Sequence, residues 1–337
     1  MKTVFVGLSG GVDSAVSAYL LKKEGYEIVG AFIRGWEPDF LPCTGVRDRL
    51  EAMRVAAHLG IPFVTYDLEE EYKRDVVDYF VNEYKAGRTP NPDVMCNRTI
   101  KFGAFAKRAR ADGADFIATG HYASTTEGEL CVSKDKQKDQ TYFLWTLTQE
   151  DLRQTLFPVG GFEKKQVRAL AHEAGLPNAT RKDSQGLCFL GHVDMHAFLK
   201  RYIPTKPGAI QDESGKILGE HDGAWFYTLG QHVTLGGASA RHYVVKKDVD
   251  ANTLTVSDTP LGEAASTIFE LTNSNWISGN VPRGKMLGRF RYRQPLLGVT
   301  IDGEKAVFDE PQLIASGQSL VVYDEKGSTC LGGGIIA

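Results

Sequence analysis

The sequence predicts an α/β fold: a doubly wound parallel sheet, then a small β-rich central domain, then a C-terminal β-barrel. Three observations carry this. Short β-branched segments alternate with amphipathic stretches through the first part of the chain. A glycine loop, Ser9-Gly10-Gly11-Val12-Asp13-Ser14, joins the first strand to the first helix. Beyond Pro204, glycine and proline rise, helical periodicity fades and short alternating segments take over. Strands separated by helices argue for a parallel sheet, whose ligands lie beyond the carboxyl ends of its strands.

Taken in order, Lys2 to Leu8 reads as a strand, Asp13 to Lys23 as a helix stopped at Gly25, and Glu27 to Ile33 as the next strand. Arg47 to Leu59 is a helix closed by Gly60 and Pro62, and Phe63 to Leu68 is a strand. The acidic, aromatic run from Glu69 to Lys85 is a helix. After the turn Asn91-Pro92-Asp93, Ile100 to Asp112 is helical, and Asp115 to Thr119 is a strand leading into Gly120-His121. Helix is expected to continue through Glu163 to Gly175 and again around Val193 to Tyr202. Tyr243 to Lys247 and Thr253 to Val256 are short strands, and strands run from about Phe269 to Ile336 with turns at Gly279-Asn280, Asp302-Gly303 and Glu325-Lys326-Gly327. The domains are therefore drawn as 1–203, 204–266 and 267–337.

Composition narrows the class. The chain has 337 residues, ample for two or three domains, and a formal net charge of -3, so any nucleic-acid surface must be a local patch. Five cysteines at irregular spacing (43, 96, 131, 188, 330) form neither a disulfide framework nor a zinc motif. A reducing, cytoplasmic setting is expected. No apolar run is long enough for a signal peptide or a membrane span.

The glycine loop fits phosphate. Glycines let backbone approach an anion, and the helix N-terminus supplies free N–H groups and the positive end of a dipole. Ser9 and Ser14 add hydroxyls, and Asp13 can cap the helix or help hold magnesium. The loop lacks the Gly-Lys-Ser/Thr of a Walker A motif and the order of a dinucleotide fingerprint. Two cysteines stand in distinctive strings, Asn91-Pro92-Asp93-Val94-Met95-Cys96-Asn97 and Asp183-Ser184-Gln185-Gly186-Leu187-Cys188-Phe189. Arg98 and Lys101 come after the first; Arg181 and Lys182 precede the second. Neighbouring cations lower a thiol pKa, and the turn-forming residues argue against core positions for either cysteine.

The loop resembles that of the N-type ATP pyrophosphatases, which cleave ATP between the α and β phosphates to adenylate a substrate. Further strings narrow the resemblance: Tyr84 to Asp93, Cys96-Asn97 with Ile100-Lys101-Phe102, Ala118-Thr119-Gly120-His121-Tyr122, Lys138-Asp139-Gln140, Asp183 to Phe189, Tyr292-Arg293-Gln294-Pro295 and Cys330-Leu331-Gly332-Gly333-Gly334. In this order, over nearly the whole chain, they resemble the bacterial tRNA-specific 2-thiouridylases.

That resemblance implies an adenine-nucleotide α-hydrolase-like first domain and a reaction in which the C2 oxygen of a tRNA wobble uridine is replaced by sulfur. It implies that Gly7, Leu8, Ser9, Gly10, Gly11, Val12, Asp13, Ser14 and Gly120 bind ATP with Mg2+. Ile33, at the end of the second strand where the family commonly has methionine, would wall the adenine. Asn91, Pro92 and Asp93 would meet the target base, with Asp93 a candidate general acid or base. Cys96 would be the nucleophile and Cys188 the persulfide carrier. Lys138, Asp139, Gln140, Arg291 and Tyr292 would contact tRNA, and the sulfur would come from a persulfide carrier protein or a cysteine desulfurase. A 4Fe-4S cluster on Asp93, Cys96 and Cys188 is the alternative sulfur route.

Weaker signals remain. His121 is either a base or a strand-end histidine bonded to phosphate or backbone. Cys131 and Cys330 lie in strand-like segments, and Cys43 in a loop. Arg289, Arg291 and Arg293 alternate along an expected strand, which would put three cations on one face. Two rival readings stand beside thiolation: another adenylating ligase with the same loop, which needs no cysteine pair, and a non-catalytic RNA-binding adaptor.

Overall fold

The computed structural model describes residues 1–40, 44–183, 194–235, 242–261 and 264–337. Cys43 and Cys188 lie outside them. The first part contains β1 (Thr3–Gly7), α1 (Val12–Lys23), β2 (Glu27–Arg34), α2 (Gly45–Leu59), β3 (Phe63–Asp67), α3 (69–85), α4 (92–111) and β4 (Phe116–Ala118). Next come β5 (Ala123–Thr126), β6 (Glu129–Val132), α5 (Gln149–Arg153), β7 (Thr155–Leu156), α6 (Lys164–Glu173) and α7 (Met195–Leu199). A parallel sheet of order β3-β2-β1-β4-β7 results. Alternation along β1 sends Val4 and Val6 into a core shared with α1, α2 and α6, and Phe5 into the core under α3 and α4.

The strand and helix expectations for this half hold to within a few residues, with two differences. The helix expected from Ile100 begins at Pro92, because Asn91 caps it: the Asn91 Oδ1 accepts from the N–H groups of Asp93 and Val94 at 3.1 and 3.3 Å. Both α3 and α4 also contain wide π-type turns, over Lys73–Asp78 and Cys96–Phe105. Between Gly120 and α6 the chain forms the β5–β6 hairpin, which holds Cys131 in a strand as its segment suggested.

The central sheet comprises β8 (Gly208–Asp212), β9 (Ile217–His221), β10 (His232–Val233), β11 (His242–Asp248) and β12 (Thr253–Ser257), in the order β10-β11-β12-β8-β9. Then β13 (Ser266–Trp276), β14 (Met286–Arg289), β15 (Leu297–Asp302), β16 (Lys305–Gln312), β17 (Ser319–Tyr323) and β18 (Thr329–Ile336) run β13-β16-β15-β14-β17-β18 and close through a β13–β18 pairing. That closure makes the expected barrel. Its sheet recruits the hairpin from the first part: β6 pairs with β18, Thr329 opposite Cys131 and Cys330 opposite Leu130. Among the described residues no helix is long and apolar enough to cross a membrane.

One buried ion pair fastens the barrel to the nucleotide domain. Arg289, on β14, donates to the Asp139 Oδ2 at 2.6 Å and to the Tyr323 hydroxyl at 2.7 Å. Thr141 donates to the same Asp139 oxygen at 2.7 Å, and the Ser133 N–H to its other oxygen at 3.2 Å. Nearby, the buried Tyr142 hydroxyl donates to the Phe290 carbonyl at 3.0 Å. The three arginines therefore do not share one face: β14 ends at Arg289, which is buried, while Arg291 and Arg293 lie exposed in the next turn, Arg293 with φ of 64°. Breaking a buried pair strands a charge, so Asp139→Asn or Arg289→Met should each cost about 3–5 kcal/mol in urea unfolding, with the double variant recovering part of the loss. A single-variant cost under about 1 kcal/mol would be the value of a solvated pair and would contradict this anchoring role.

Candidate active site

The site forms where β1 and β4 end and α1 begins. Gly10 adopts φ of 77°, and a Cβ there would lie 2.6 Å from the Asp48 carbonyl oxygen, so this turn excludes any side chain. Ser9, Gly11 and Ser14 brace one another: the Ser9 N–H donates to the Ser14 Oγ at 3.2 Å, the Gly11 N–H to the Ser9 Oγ at 3.3 Å, and Ser14 Oγ to the Gly11 carbonyl at 3.1 Å. Gly120 packs against the start of α1 so closely that a Cβ would meet the Ser14 nitrogen at 2.7 Å. Gly7, Leu8 and Val12 complete the strand-to-helix passage, Leu8 and Val12 as core residues. Ile33 is buried in the apolar cluster that also holds Phe5 and Cys96, as an apolar wall requires.

Charges that the sequence reading missed surround this loop. Lys164, the first residue of α6, places its ammonium 2.7 and 2.8 Å from the two oxygens of Asp13 and 2.9 Å from the Asp183 Oδ1. Asp183 also accepts from Lys138 at 2.8 Å and Arg168 at 2.6 Å. Burial alone would raise the Asp183 pKa, but hydrogen bonds from Lys138 and Lys164 outweigh it and hold the carboxyl well below the usual carboxylate range. The Tyr122 hydroxyl donates to Asp13 at 3.0 Å; burial first, and then the Asp13 charge, push its pKa up. Asn178 and Arg181 both donate to the Gly10 carbonyl, at 2.8 and 3.1 Å, and Arg181 also pairs with Asp48. Lys164 and Arg168 stand four apart on one helix face, the spacing that could have revealed them.

The cysteine string occupies the start of α4. Asn91 is spent on capping, Pro92 opens the helix and Asp93 is half-buried. Cys96 is 0% exposed and belongs to the core, which corrects the expectation that its turn-forming neighbours keep it out. The reason is the cap: the turn stops at Asn91, leaving Cys96 in the second helical turn on the inward face. Asn97, also buried, donates to the Phe143 carbonyl at 3.0 Å. His121 is buried beside Phe102 and Phe157, with Nδ1 2.8 Å from the Thr119 hydroxyl. Burial, then the Lys101 charge, lowers its pKa well below the ordinary histidine value, so the ring is neutral.

Residues expected at tRNA divide. Arg291 is exposed and reaches the Leu229 carbonyl of the central domain at 3.4 Å. Tyr292 stacks on Phe143, centroids 4.6 Å apart, with Arg293 above its ring. Lys138 is half-buried on Asp183, and Gln140 accepts the Tyr122 N–H at 2.9 Å. Asp139 faces inward, so in this conformation its carboxylate serves Arg289. Among the described residues no three His, Cys, Asp or Glu side chains converge as metal ligands. Cys131 and Cys330 sit on the paired strands β6 and β18, in the barrel sheet, where both were expected in strands. Of the residues named for a 4Fe-4S cluster, Asp93 and Cys96 are described and Cys188 lies outside the described residues.

A parallel sheet whose first strand runs through a glycine loop into a helix, with cations gathered round that loop, defines a nucleotide-binding domain of the ATP-pyrophosphatase type. Profile comparison agrees: residues 2–192 match a family described as tRNA methyl transferase HUP domain, 196–258 its PRC-barrel domain, and 266–336 an aminomethyltransferase beta-barrel domain. Among curated proteins, the tRNA-specific 2-thiouridylase MnmA 2 of Geobacillus kaustophilus is 44% identical over 99% of this chain and 94% of its own length. The tRNA-specific 2-thiouridylase MnmA of Alkaliphilus oremlandii is 45% identical over 99% and 96%. The chain belongs to the tRNA-specific 2-thiouridylase family. Among solved structures, the U34-tRNA thiolase NcsA of Methanococcus maripaludis with its 4Fe-4S cluster aligns over 60% of this chain and 67% of that one at 19% identity and a TM-score of 0.38, too low to bear on the sulfur chemistry here.

The depressed Asp183 pKa has a measurable consequence. The group's contribution to stability is fully present above the unfolded carboxylate pKa and is lost as pH falls through the lower folded value. The stability gap between wild type and Asp183→Asn, followed by urea unfolding, should therefore be constant above about pH 5 and narrow on acidification below the ordinary carboxylate range. A gap that stays flat down to about pH 2 would mean that Asp183 is not ionised within its ring of cations.

Proposed function

We propose that the chain is an ATP-dependent tRNA sulfurtransferase that replaces the C2 oxygen of a wobble uridine by sulfur. The observation that carries the reading is the match, along 99% of the chain, to relatives named tRNA-specific 2-thiouridylases. A uracil carbonyl oxygen is a poor leaving group. ATP on the Gly7 to Ser14 loop supplies the remedy: O2 attacks the α-phosphorus, pyrophosphate departs, and AMP becomes the group that leaves from C2. The loop N–H groups and Lys164 meet the departing phosphates. Asp13, with the hydroxyls of Ser9 and Ser14, offers the oxygen-only donors that suit a magnesium ion carried by ATP.

Sulfur arrives as a persulfide on Cys188 from a persulfide carrier or desulfurase. The Cys96 thiolate attacks the inner sulfur, forming the Cys96–Cys188 disulfide and releasing hydrosulfide, which adds at C2 and displaces AMP; a cellular thiol then reduces the disulfide. Cys96 is buried, so this step requires the start of α4 to rearrange when tRNA engages Asn91, Pro92 and Asp93. The π-type turns that begin at Cys96 give that segment an alternative hydrogen-bond register. Arg291 is exposed and Tyr292 is half-buried against Phe143; they serve tRNA backbone and base contacts. The thiol chemistry suits the reducing cytoplasm.

Four variants test this scheme. Asp13→Ala should lose tRNA-dependent pyrophosphate release, whereas Cys96→Ser and Cys188→Ser should keep it and yield no thiolated nucleoside by mass spectrometry. Cys96→Ser should still accept a persulfide on Cys188. Thiolated uridine from Cys188→Ser would sink the sulfur route, and undiminished pyrophosphate release from Asp13→Ala would sink the loop assignment. Arg291→Ala should weaken tRNA binding and reduce its log-log salt slope by about one unit, with ATP affinity unchanged. An unaltered slope would return Arg291 to the solvated surface.

A further inference from the structure

We propose that Tyr122 is a positioning residue for the phosphate loop: it fixes the carboxylate of Asp13 so that Oδ2 is the oxygen presented to the magnesium ion carried by ATP. This rests on the ATP reading of the loop. The turn that follows β4 holds Asp13 at two points. A Cβ on Gly120 would lie 3.1 Å from the Asp13 Cβ, so the backbone of that turn packs directly against the stem of the side chain. Two residues on, the Tyr122 hydroxyl donates to the Asp13 Oδ1 at 3.0 Å. Stem and carboxylate are thus gripped from one short stretch, Gly120-His121-Tyr122.

Tyr122 is itself held in place. It is 2% exposed, so its hydroxyl has little access to water as a substitute partner, and its ring belongs to the apolar core that includes residues of α1, α2 and α6. Its N–H donates to the Gln140 Oε1 at 2.9 Å and its carbonyl accepts the Gln140 N–H at 2.8 Å, a two-bond clasp that sets the direction of the ring. Burial raises the phenol pKa, and the hydroxyl remains a donor at neutral pH. The ring also meets Lys164, whose ammonium stands 5.8 Å from its centroid, within reach of cation–π attraction. One side chain therefore braces both members of the Asp13–Lys164 pair.

The two carboxylate oxygens are unequally occupied. Oδ1 accepts from Lys164 at 2.7 Å and from Tyr122 at 3.0 Å, which uses both of its lone-pair directions. Among the described residues Oδ2 accepts from Lys164 alone, at 2.8 Å, and keeps one direction open. A hard cation takes such an oxygen. Without the hydroxyl, either oxygen could turn toward the cation and the preference is lost. The outer hydrogen-bond partner of a metal-ligating group is typically worth about 10–100-fold in metal affinity.

The test reads affinity, not turnover. Calorimetry gives the affinity of the full chain for α,β-methylene-ATP, which cannot be cleaved at the reacting bond, with saturating Mg2+ and again with EDTA. Wild type, Tyr122→Phe, Asp13→Asn and the double variant are compared. Tyr122→Phe keeps the ring beside Lys164 and removes only the hydroxyl. It should weaken binding about tenfold with Mg2+ and less than about twofold with EDTA. Asp13→Asn should show the same selectivity, and adding Tyr122→Phe to it should cost less than about twofold more in either condition. Tyr122→Met, which also lacks a donor, replaces the Phe variant if circular dichroism shows that the latter is unfolded. Wild type that binds the analogue in neither condition overturns the ATP reading together with this one. Asp13→Asn that loses affinity equally with and without Mg2+ removes Asp13 as a magnesium ligand and the role of Tyr122 with it. A magnesium-selective loss in Asp13→Asn, with Tyr122→Phe acting equally in both conditions as a merely structural residue would, overturns the positioning role alone.

Discussion

The carboxylate of Asp139 is almost wholly removed from water, and the arrangement of the molecule depends on where it finds its counterion. An unpaired buried carboxylate is too costly to keep. Its cation, Arg289, comes from the barrel, and the pair is completed by Thr141 and Tyr323 from the two sides of the same junction. Barrel and nucleotide domain are thus held in one orientation by a charge requirement. Tyr142, next in sequence to Thr141, then bonds Phe290, and Phe143 stacks on Tyr292. The segment read as a tRNA contact is also the clamp that positions Arg291 and Tyr292.

The same logic sets the chemistry apart from the clamp. Around the phosphate loop the charges form one network: Lys164 bridges Asp13 and Asp183, and Lys138 and Arg168 also hold Asp183. Cys96 sits in apolar packing. A thiol there is protected from oxidants and from adventitious disulfides, which a nucleophile surrounded by solvent would not be.

Much of this was legible in the sequence because it is local. A strand, two glycines and a helix are written in adjacent residues, and the loop from Ser9 to Ser14 lies where the sequence puts it, although Asp13 pairs with Lys164 and does not cap the helix. The barrel strands declared themselves by turns at regular spacing. The features that stayed hidden depend on distant partners. Arg289 reads as one of three alternating cations, and only Asp139, 150 positions away, makes it a core residue. Cys96 reads as a turn residue because the cap at Asn91 decides, a few residues earlier, which side of a helix it will face. Lys164 has no motif of its own; its role exists only where Asp13 and Asp183 meet.

The β5–β6 hairpin has a bearing on biogenesis. Leu130 and Cys131 find their partners on β18 after more than half the chain has intervened. During translation the nucleotide half emerges with that edge unpaired, its Leu130 bound for the core and still lacking cover. Loop closure over so long a span is slow, and until it happens the nascent first half is the aggregation-prone species. Severing the barrel from the rest would leave an open strand edge and an uncompensated Asp139 in the nucleotide half, so the two must mature as one cooperative unit even though three separate family profiles divide them.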